Sequence, residues 1–238
     1  MKKHKEKFDI YEGVFDDYTI NLLYQLMNKG YFSEFKGIIS EGKEANVFLA
    51  KNSEGFIAVK IFKTETSGFK KIKDYILGDP RFPRITKNFR KLIFLWAQKE
   101  YRNLLKAYEG GVAVPKPIYN LKNVILMEFI HEKNLGPSRP INIQHPKKLN
   151  KMYKLIIKEY EKMLKIGLVH ADFSEYNILN KNEKPIIIDW AQAVVKEHPR
   201  ALEFMERDIK NINKWFKNKG TIINNKLIDK FKKIIMEE

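Results

Sequence analysis

The sequence predicts an α+β fold of two lobes, in which an antiparallel sheet with one main helix precedes a mostly helical half. Short strand-like segments with turns between them fill residues 37–62 and 114–127. Beyond residue 146, apolar residues recur mainly at helical spacing. A glycine- and proline-containing stretch at 136–140 reads as a linker between the two halves. We therefore expect an amino-terminal extension with a helix at 1–36, a first lobe at 37–130 and a second lobe at 131–238.

Composition indicates an ordinary globular protein, since 44% of its 238 residues are hydrophobic and 31% are charged. No apolar run approaches the roughly 20 residues that cross a bilayer, and the start of the chain lacks the apolar core of a signal peptide. We therefore expect a cytoplasmic protein with no membrane partner. The absence of cysteine excludes disulfides and thiolate metal sites. The formal net charge of +16 suits an RNA partner, but a lysine-rich solvated surface gives the same number.

The helices are predicted from apolar stripes and from residues that start or stop helices. The first begins at Asp16 or Asp17 and ends at Gly30. The residues at 64–88 read as a long basic loop with a short helical turn, and we expect this loop to be mobile without ligand. The remaining predicted helices lie at about 90–108, 146–167, 201–217 and 225–238.

A polar turn between two strand-like segments, within residues 37–50, contains Gly42 and suits backbone amides bent around phosphate oxygens. From Gly37 the chain nearly matches the nucleotide-binding pattern G-x-x-x-x-G-K-[ST]. Glu44 replaces the hydroxyl residue of that pattern, and the next residues continue as a strand where a helix should start. The turn is therefore not a Walker-type site, and by itself a plain hairpin explains it equally well.

Two charged residues are predicted to face apolar surroundings. Alternation in the strand 56–62 places Lys60 among apolar neighbours, and the helical stripe of 90–108 includes Glu100. An ion pair between them would aim the lysine at nucleotide phosphates. In the alternative interpretation Lys60 extends its amine to solvent and Glu100 lies at the edge of its stripe.

The stretch 168–193 has the composition and spacing of a phosphotransfer site. Its pattern is H-x-D-x-x-x-x-N followed by an apolar strand that ends in aspartate, formed by His170, Asp172, Asn177 and Asp189. Two short strands joined by a hairpin turn would bring Asn177 and Asp189 together as oxygen ligands for magnesium. Asp172 could then orient a hydroxyl. The alternative is structural, with His170 and Asp172 capping a turn and Asp189 ending a buried strand.

Five segments together resemble the RIO family of atypical protein serine kinases, and its first subfamily most closely, over roughly residues 38–204. They are SEGKEANVF, IAVKIFK, WAQKEYRN, VHADFSEYNIL and IIIDWAQAV. The resemblance implies a two-lobed protein-kinase-like fold with no extended activation segment. Trp190 and Ala191 follow Asp189 where ordinary kinases have Phe-Gly.

The resemblance also implies a role for each site residue. Ser40 and Lys43 would lie in the phosphate loop, and Lys60 would contact phosphate and pair with Glu100. Glu128 and Ile130 would offer backbone groups to adenine. Asp172 would be catalytic, and Asn177 and Asp189 would hold the metal. ATP and Mg²⁺ follow as cofactors. The implied partner is a pre-ribosomal small-subunit particle, through rRNA or ribosomal proteins. Some members act mainly as ATPases through an acyl-phosphate, in which case Asp189 is the nucleophile.

Two other functions stay open on the sequence. A small-molecule phosphotransferase of the aminoglycoside or choline kinase type has a comparable H-x-D-x-x-x-x-N motif, but the Gly-Lys-Glu-Ala-Asn loop and the long basic segment argue against it. A catalytically silent RNA- or ribosome-binding scaffold would keep the fold alone. The retained Lys60, Glu100, Asp172, Asn177 and Asp189 argue against a scaffold.

Overall fold

The computed structural model describes residues 15–64, 72–82, 86, 88–132 and 136–236. The first residues of the chain and much of the basic loop at 64–88 lie outside the described residues. The expected mobility of this loop therefore stays a prediction. The chain divides into two compact units. Among the described residues the first unit comprises 15–64, 86, 88–98 and 117–129, and the second comprises 72–82, 99–116, 130–132 and 136–236.

The described residues form six helices and eleven strands. The helices are α1 Asp17–Asn28, α2 Ile72–Ile76, α3 Phe89–Glu109, α4 Leu149–Lys165, α5 Ala201–Asn218 and α6 Leu227–Met236. The strands are β1 Glu34–Glu41, β2 Ala45–Asn52, β3 Gly55–Phe62, β4 Pro117–Leu121, β5 Val124–Glu128, β6 His131–Glu132, β7 Gly136–Pro137, β8 Leu168–Val169, β9 Ile178–Lys181, β10 Lys184–Ile187 and β11 Val194–Val195. Each predicted helix is present with ends within a few residues of the prediction. No helix of the described part is long and apolar enough to cross a membrane.

The first unit is built on an antiparallel sheet, as the sequence predicted, and its five strands lie in the order β1-β2-β3-β5-β4. Its central strand β3 is buried from Ile57 to Phe62, which explains its nearly continuous apolar run. Leu23 and Leu26 of α1 belong to the same buried cluster as Phe48 of β2. The sheet and α1 therefore share one core. Because β2 is a strand, the structure confirms that no Walker-type helix follows Gly42.

Three helices and two small ladders form most of the second unit. Ile156, Tyr160 and Met163 line the buried side of α4, as the predicted stripe requires. The ring of Tyr160 lies 4.8 Å from the ring of Phe173 and 5.6 Å from that of Phe231 on α6. The core of this unit therefore lies where α4 and α6 meet the loop that follows β8.

The predicted hairpin is confirmed as β9 and β10, which pair antiparallel from Ile178↔Ile187 to Lys181↔Lys184. Asn182 and Glu183 connect the strands with φ of 51° and 60°. Positive φ at both central residues is typical of the type I′ turn, whose twist matches that of the strands. A second ladder, β8 with β11, was not predicted and joins the two ends of the stretch 168–195.

The segment 136–140, which its composition predicted as a linker, makes backbone contacts to β6 and β9. Gly136 and Pro137 form β7, which pairs with β6, and Pro140 bridges to Leu179 of β9. Next to it, Ile141 N donates to Ile178 O at 2.9 Å. Glycine and proline correctly indicated a break in regular structure, but they carry no information about which distant backbone groups this segment would meet.

Candidate active site

The hairpin β9–β10 sets the positions of Asn177 and Asp189, which lie just outside its two strands. Ile178 pairs with Ile187, and one step further out Ile188 N donates to Asn177 O at 3.0 Å. Asp189 is the next residue after Ile188, so the hairpin delivers Asn177 and Asp189 to the same end of the ladder. The structure thus brings these two residues together as the sequence predicted.

The carboxylate of Asp172 is held by two amide side chains. Asn177 Nδ2 donates to Asp172 O at 2.8 Å and to Asp172 Oδ2 at 3.0 Å. Gln192 Nε2 lies 3.3 Å from the same Oδ2. Asp172, Asn177 and Gln192 are all half-buried, which restricts the rotamers of all three side chains. The predicted catalytic carboxylate therefore has a defined orientation beside the predicted metal ligand Asn177.

His170 is fully buried and links the loop after β8 to the end of β10. Its Nε2 lies 3.1 Å from Ile188 O, and because a carbonyl only accepts, Nε2 carries the proton. The ring packs edge-on against Trp190 and Phe173, with centroid distances of 4.9 and 5.6 Å. His170 thus positions the residue before Asp189.

Asp208 of α5 anchors the loop that carries Asp172. Its fully buried carboxylate accepts hydrogen bonds from Ala171 N at 2.8 Å, Phe173 N at 3.0 Å and Tyr160 Oη at 2.9 Å. Burial raises the pKa of Asp208 to about 7, although these three bonds oppose the rise. The Arg207 guanidinium also bonds to Ala171 O. Both residues that flank Asp172 are therefore fixed from α5.

Sequence reasoning missed Asp208, and it also missed Lys99 and Asn103 of α3, which bond to carbonyls just after Asp189. A signal for Asp208 was present in the sequence, because it falls on the apolar stripe of α5 beside Ile209. An acidic residue at an apolar helical position is the same signal that singled out Glu100. It indicates a buried carboxylate, but it does not name the groups that bond to it.

Two backbone positions in the site adopt an uncommon conformation. Ala171 and Asp189 both have φ of 64°, the left-handed region that residues other than glycine rarely adopt. Such positions cost about 1–3 kcal/mol each and persist only where the surrounding structure holds them. Trp190 contributes to this, since its ring is buried and its Nε1 donates to Ile187 O at 3.2 Å.

Lys60 and Glu100 are both buried, as predicted from their apolar surroundings. Lys60 in β3 is 9% exposed, stands between Val47 and Ile125 in the sheet, and has its Nζ 5.1 Å from the centre of the Phe62 ring. Glu100 in α3 is 2% exposed. The two residues belong to different units, and their pairing stays a prediction.

Ser40, near the end of β1, and Lys43, in the turn between β1 and β2, are both exposed. Gly42 N donates to Ala45 O at 3.0 Å and lies 3.4 Å from Asn46 Oδ1. A Cβ at Gly42 would lie 2.8 Å from Ala45 O, so this tight turn requires glycine. The turn is compact and strand-flanked, and the phosphate-binding role of Ser40 and Lys43 stays a prediction.

Glu128 and Ile130 flank the end of β5. Glu128 is the last residue of β5 and pairs with Ile57 of β3. The carbonyl of Ile130 accepts from Ser138 N at 3.0 Å, so the predicted adenine contact of Ile130 would use its N–H. The adenine role of both residues stays a prediction.

The donor set of Asn177 and Asp189 fits a magnesium ion. A carboxylate and a carboxamide supply the hard oxygen ligands that Mg²⁺ prefers. Because Asn177 uses its amide nitrogen on Asp172, its amide oxygen is the atom suited to ligation. Within the described ranges no group of three or more His, Asp or Glu residues forms a metal cluster. The pair therefore suits an ion that takes its remaining ligands from phosphate and water.

Comparisons with known proteins agree with this architecture. The family profile of the RIO domain matches residues 46–228. The RIO-type serine/threonine-protein kinase Rio1 of Haloferax volcanii is 37% identical over 222 residues, covering 92% of this chain and 75% of the relative. Its namesake in Methanocaldococcus jannaschii is 35% identical over 231 residues, covering 97% of this chain and 79% of the relative.

A solved structure shows the same fold. The crystal structure of the Rio2 kinase–ADP/Mg²⁺–phosphoaspartate complex from Chaetomium thermophilum superposes with a TM-score of 0.70 at 24% identity, covering 91% of this chain and 66% of that chain. At this identity the likeness concerns the fold, and it confirms the predicted two-lobed kinase-like class. With the profile match and the two archaeal relatives, it follows that the chain belongs to the RIO family of atypical serine/threonine protein kinases.

Proposed function

We propose that this chain uses ATP and Mg²⁺ to phosphorylate serine or threonine hydroxyls, its own included, and that it also hydrolyses ATP. The observation that carries the proposal is the loop-and-hairpin arrangement in which Asn177 bonds to Asp172 and shares a ladder end with Asp189. A catalytic carboxylate beside two oxygen ligands is what phosphoryl transfer requires of a protein. The names of the archaeal relatives support the same activity.

In the proposed reaction each site residue has one task. Asp172, oriented by Asn177 and Gln192, accepts the proton of the hydroxyl as its oxygen attacks the γ-phosphorus of ATP and ADP leaves. Asn177 and Asp189 would hold Mg²⁺, which when bound neutralises charge on the phosphate oxygens. The nucleotide would be bound by Ser40, Lys43 and Lys60 at its phosphates, with Glu100 orienting Lys60, and by Glu128 and Ile130 at its adenine.

Hydrolysis would use Asp189 as the nucleophile. A carboxylate oxygen of Asp189 would attack the γ-phosphorus, ADP would leave, and water would then release phosphate from the acyl-phosphate and restore the carboxylate. The Rio2 structure from Chaetomium thermophilum contains a phosphoaspartate with ADP and Mg²⁺. The fixed, left-handed backbone of Asp189 supports a defined carboxylate position in this chain.

Incubation of the pure protein with ATP labelled in the γ-phosphate tests the proposal. Acid-stable label on the protein indicates transfer to serine or threonine, and label released by hydroxylamine indicates an aspartyl phosphate. Asp172→Asn should remove the first kind of label and Asp189→Asn should remove the second. A protein that neither binds nor turns over ATP with Mg²⁺ contradicts the proposal. Phosphorylation of an amino alcohol with no label on the protein would instead support a small-molecule phosphotransferase.

We further propose that the enzyme acts on a pre-ribosomal small-subunit particle and contacts its rRNA. Support comes from a set of exposed lysines along one face of α4 and at its start, called here the basic face. These are Lys147, Lys148, Lys151, Lys154 and Lys158. In the described part of the chain none of these five side chains forms a salt bridge, unlike Lys162 and Lys165 at the other end of α4.

Three lysines of the basic face, Lys147, Lys148 and Lys151, lie at the start of α4, where positive charge is unfavourable for the helix itself. The first turn of α4 contains no acidic residue, and the N-cap residue Lys148 makes no capping bond through its own side chain. The carboxylate of Glu183, from the β9–β10 turn, accepts from Lys147 N and Lys148 N at 3.1 Å each. Lysines at this end repel the positive end of the helix macrodipole, at a typical cost of about 0.3–1 kcal/mol each. Lysines that do not stabilise their own helix are suited to the phosphates of a bound polyanion.

A further inference from the structure

Two buried polar side chains of α3 converge on the backbone directly after Asp189. Lys99 Nζ donates to Ala191 O at 3.0 Å and also to Ala193 O. Asn103 Nδ2, four residues further along α3, donates to Trp190 O at 2.9 Å and to Ala193 O at 2.7 Å. Three carbonyls within the four residues 190–193 are therefore held from one helix face.

Arg81 and Asp79, which precede α3 in the chain, orient the side chain of Asn103. Arg81 Nη1 donates to Asn103 Oδ1 at 2.8 Å. Arg81 also bonds to both carboxylate oxygens of Asp79, through Nε at 2.9 Å and Nη2 at 2.7 Å. Because Arg81 can only donate, the oxygen of Asn103 must face it and the amide nitrogen must face the carbonyls. The orientation of Asn103 is thus set from the side opposite residues 190–193.

This network lies in the interior of the second unit. Lys99 and Asn103 are 0% exposed and Asp79 is 2% exposed. Burial lowers the pKa of Lys99 to about 7, with the charge of Asp79 opposing the shift. Buried polar groups are unfavourable unless they are bonded, and apolar residues of similar size would fill the same space without that requirement. Packing alone therefore does not account for these side chains.

The backbone that the network holds begins beside the strained position of Asp189. A residue at φ 64° reverts to a commoner conformation unless its neighbours prevent it. On the amino-terminal side the hairpin and His170 fix Ile188. On the carboxyl-terminal side the only bond between backbone groups of residues 190–193 in the described structure is Ala193 N to Trp190 O at 3.2 Å. The bonds from Lys99 and Asn103 add to the restraint from the side chains of Trp190 and Gln192, and they are the ones that hold the carbonyls of 190–193.

We propose that Lys99 and Asn103, braced by Arg81 and Asp79, are positioning residues that hold residues 190–193 and thereby fix the carboxylate of Asp189 for metal binding. This inference rests on the proposed metal role of Asp189 and extends it to four residues outside the proposed metal and nucleotide ligands. Outer groups of this kind typically change metal affinity by about 10- to 100-fold when removed.

The test compares variants that lose the donors with a variant that loses a similar bond elsewhere. Asn103→Leu and Lys99→Met remove the donors and keep the approximate size. Arg81→Gln removes the guanidinium that orients Asn103. Because the Arg81 side chain is partly exposed, this variant is expected to disturb folding least. Tyr153→Phe is the matched control, because it loses the 2.7 Å bond to Asn213 between α4 and α5 in the same unit.

Two readouts separate positioning from general stability. The first is amide hydrogen exchange at residues 190–193 without nucleotide, which should be about tenfold faster or more in the three variants and unchanged in Tyr153→Phe. The second is the Mg²⁺ concentration for half-maximal nucleotide binding. It should rise by about tenfold or more, while nucleotide affinity at saturating Mg²⁺ stays within about threefold of wild type.

The outcomes distinguish this inference from the proposed function. If wild-type protein shows no Mg²⁺-dependent nucleotide binding, the proposed function fails, and with it the metal role of the network. If wild type does show it, and Arg81→Gln and any folded donor variant keep both the wild-type Mg²⁺ requirement and the wild-type exchange rates, the inference is overturned. A change in the Mg²⁺ requirement in Tyr153→Phe as large as that in Asn103→Leu would also overturn it, because the effect would then follow stability alone.

Discussion

At the scale of single residues, the candidate site consists of groups whose orientation is set by hydrogen bonds to both near and distant residues in the chain. Asp172 is held by Asn177, five residues away, and the strained backbone of Ala171 is held by the buried carboxylate of Asp208. The first contact follows from a motif that a reader of the sequence can find. The second joins residues far apart in the chain, and the sequence offered only an acidic residue on an apolar stripe.

Asp172→Asn should lower the rate of phosphoryl transfer by about 100-fold or more while leaving ATP binding largely intact. The amide has the shape of the carboxylate but cannot accept the hydroxyl proton, and a positioned acid or base typically contributes about 10²–10⁴-fold. Single-turnover rates and calorimetric binding measure the two quantities. Glu175→Gln, on the same loop, should change neither. Near-wild-type turnover in Asp172→Asn would remove Asp172 from its catalytic role.

Asp16 gives a prediction about pH and stability in the first unit. Its carboxylate caps α1 by accepting from Thr19 N at 2.8 Å, and it also bonds to Thr64 Oγ1 and Arg90. Burial raises the pKa of Asp16, but the bonds from Thr19 and Thr64 and the charge of Arg90 outweigh it, so the pKa lies below its usual 3.8. A folded-state pKa below the unfolded value contributes stability above pH 3.8, which is lost as the pH falls through the folded value.

Asp16→Ala should therefore lower the free energy of unfolding by about 0.5–2 kcal/mol at neutral pH. The difference from wild type should shrink as the pH falls below 3.8, where the wild-type carboxylate also becomes protonated. Urea unfolding at several pH values measures it. Asp16→Asn keeps an acceptor for Thr19 N and serves as the control. If the difference in unfolding free energy between Asp16→Ala and wild type stays constant down to the acid transition, the charge of Asp16 does not stabilise the start of α1.

At the scale of elements, local patterns predicted which segments are helices and strands, while packing determined which distant segments they contact. The hairpin β9–β10 is short and closed by its own turn, so its pairing could be read from alternation and turn residues. The ladder β8–β11 joins segments more than twenty residues apart and contains only two residues on each strand. No periodicity can show in so short a strand, and it was missed for that reason.

Helix α6 depends on tertiary packing, because a helix of ten residues is not stable alone in water. Phe231 is fully buried and its ring lies 5.6 Å from that of Tyr160. Phe231→Ala should lower the free energy of unfolding by about 3–5 kcal/mol in urea unfolding. Lys233→Ala, exposed on the same helix, should stay within about 0.5 kcal/mol of wild type. Equal effects of the two substitutions would mean that α6 does not pack as described.

At the scale of the whole molecule, the positions of the lysines show which part of the net charge of +16 is available to a partner. Composition left an RNA partner and a merely solvated surface equally open. The structure distinguishes lysines that bridge to carboxylates, such as Lys162 and Lys165, from those of the basic face. The lysines of the basic face form one continuous row, so the proposed RNA contact can be tested by replacing lysines at chosen positions as well as by changing the total charge.

Replacing the five lysines of the basic face with Gln should weaken binding to small-subunit rRNA and flatten its dependence on salt. The slope of log affinity against log salt should fall in magnitude by about 0.7–0.9 for each phosphate that the variant no longer binds. Filter binding at several salt concentrations measures the slope. The control replaces five other exposed lysines and thus gives the same net charge: Lys29, Lys51, Lys91, Lys122 and Lys226. Equal slopes in both variants would show that total charge, rather than the basic face, attracts RNA.

The sequence by itself determined the fold class, the helices and strands of the sheet, and the polar set Asp172, Asn177 and Asp189. Alternation, helical stripes and motif spacing are local properties that a single chain displays. Only the tertiary structure decided that Lys99 and Asn103 hold the carbonyls after Asp189 and that the segment 136–140 pairs with β6 and bridges to β9. These contacts join groups up to about ninety residues apart, and a backbone carbonyl looks the same in every residue. Its partner is therefore chosen by packing, which no local pattern in the sequence records.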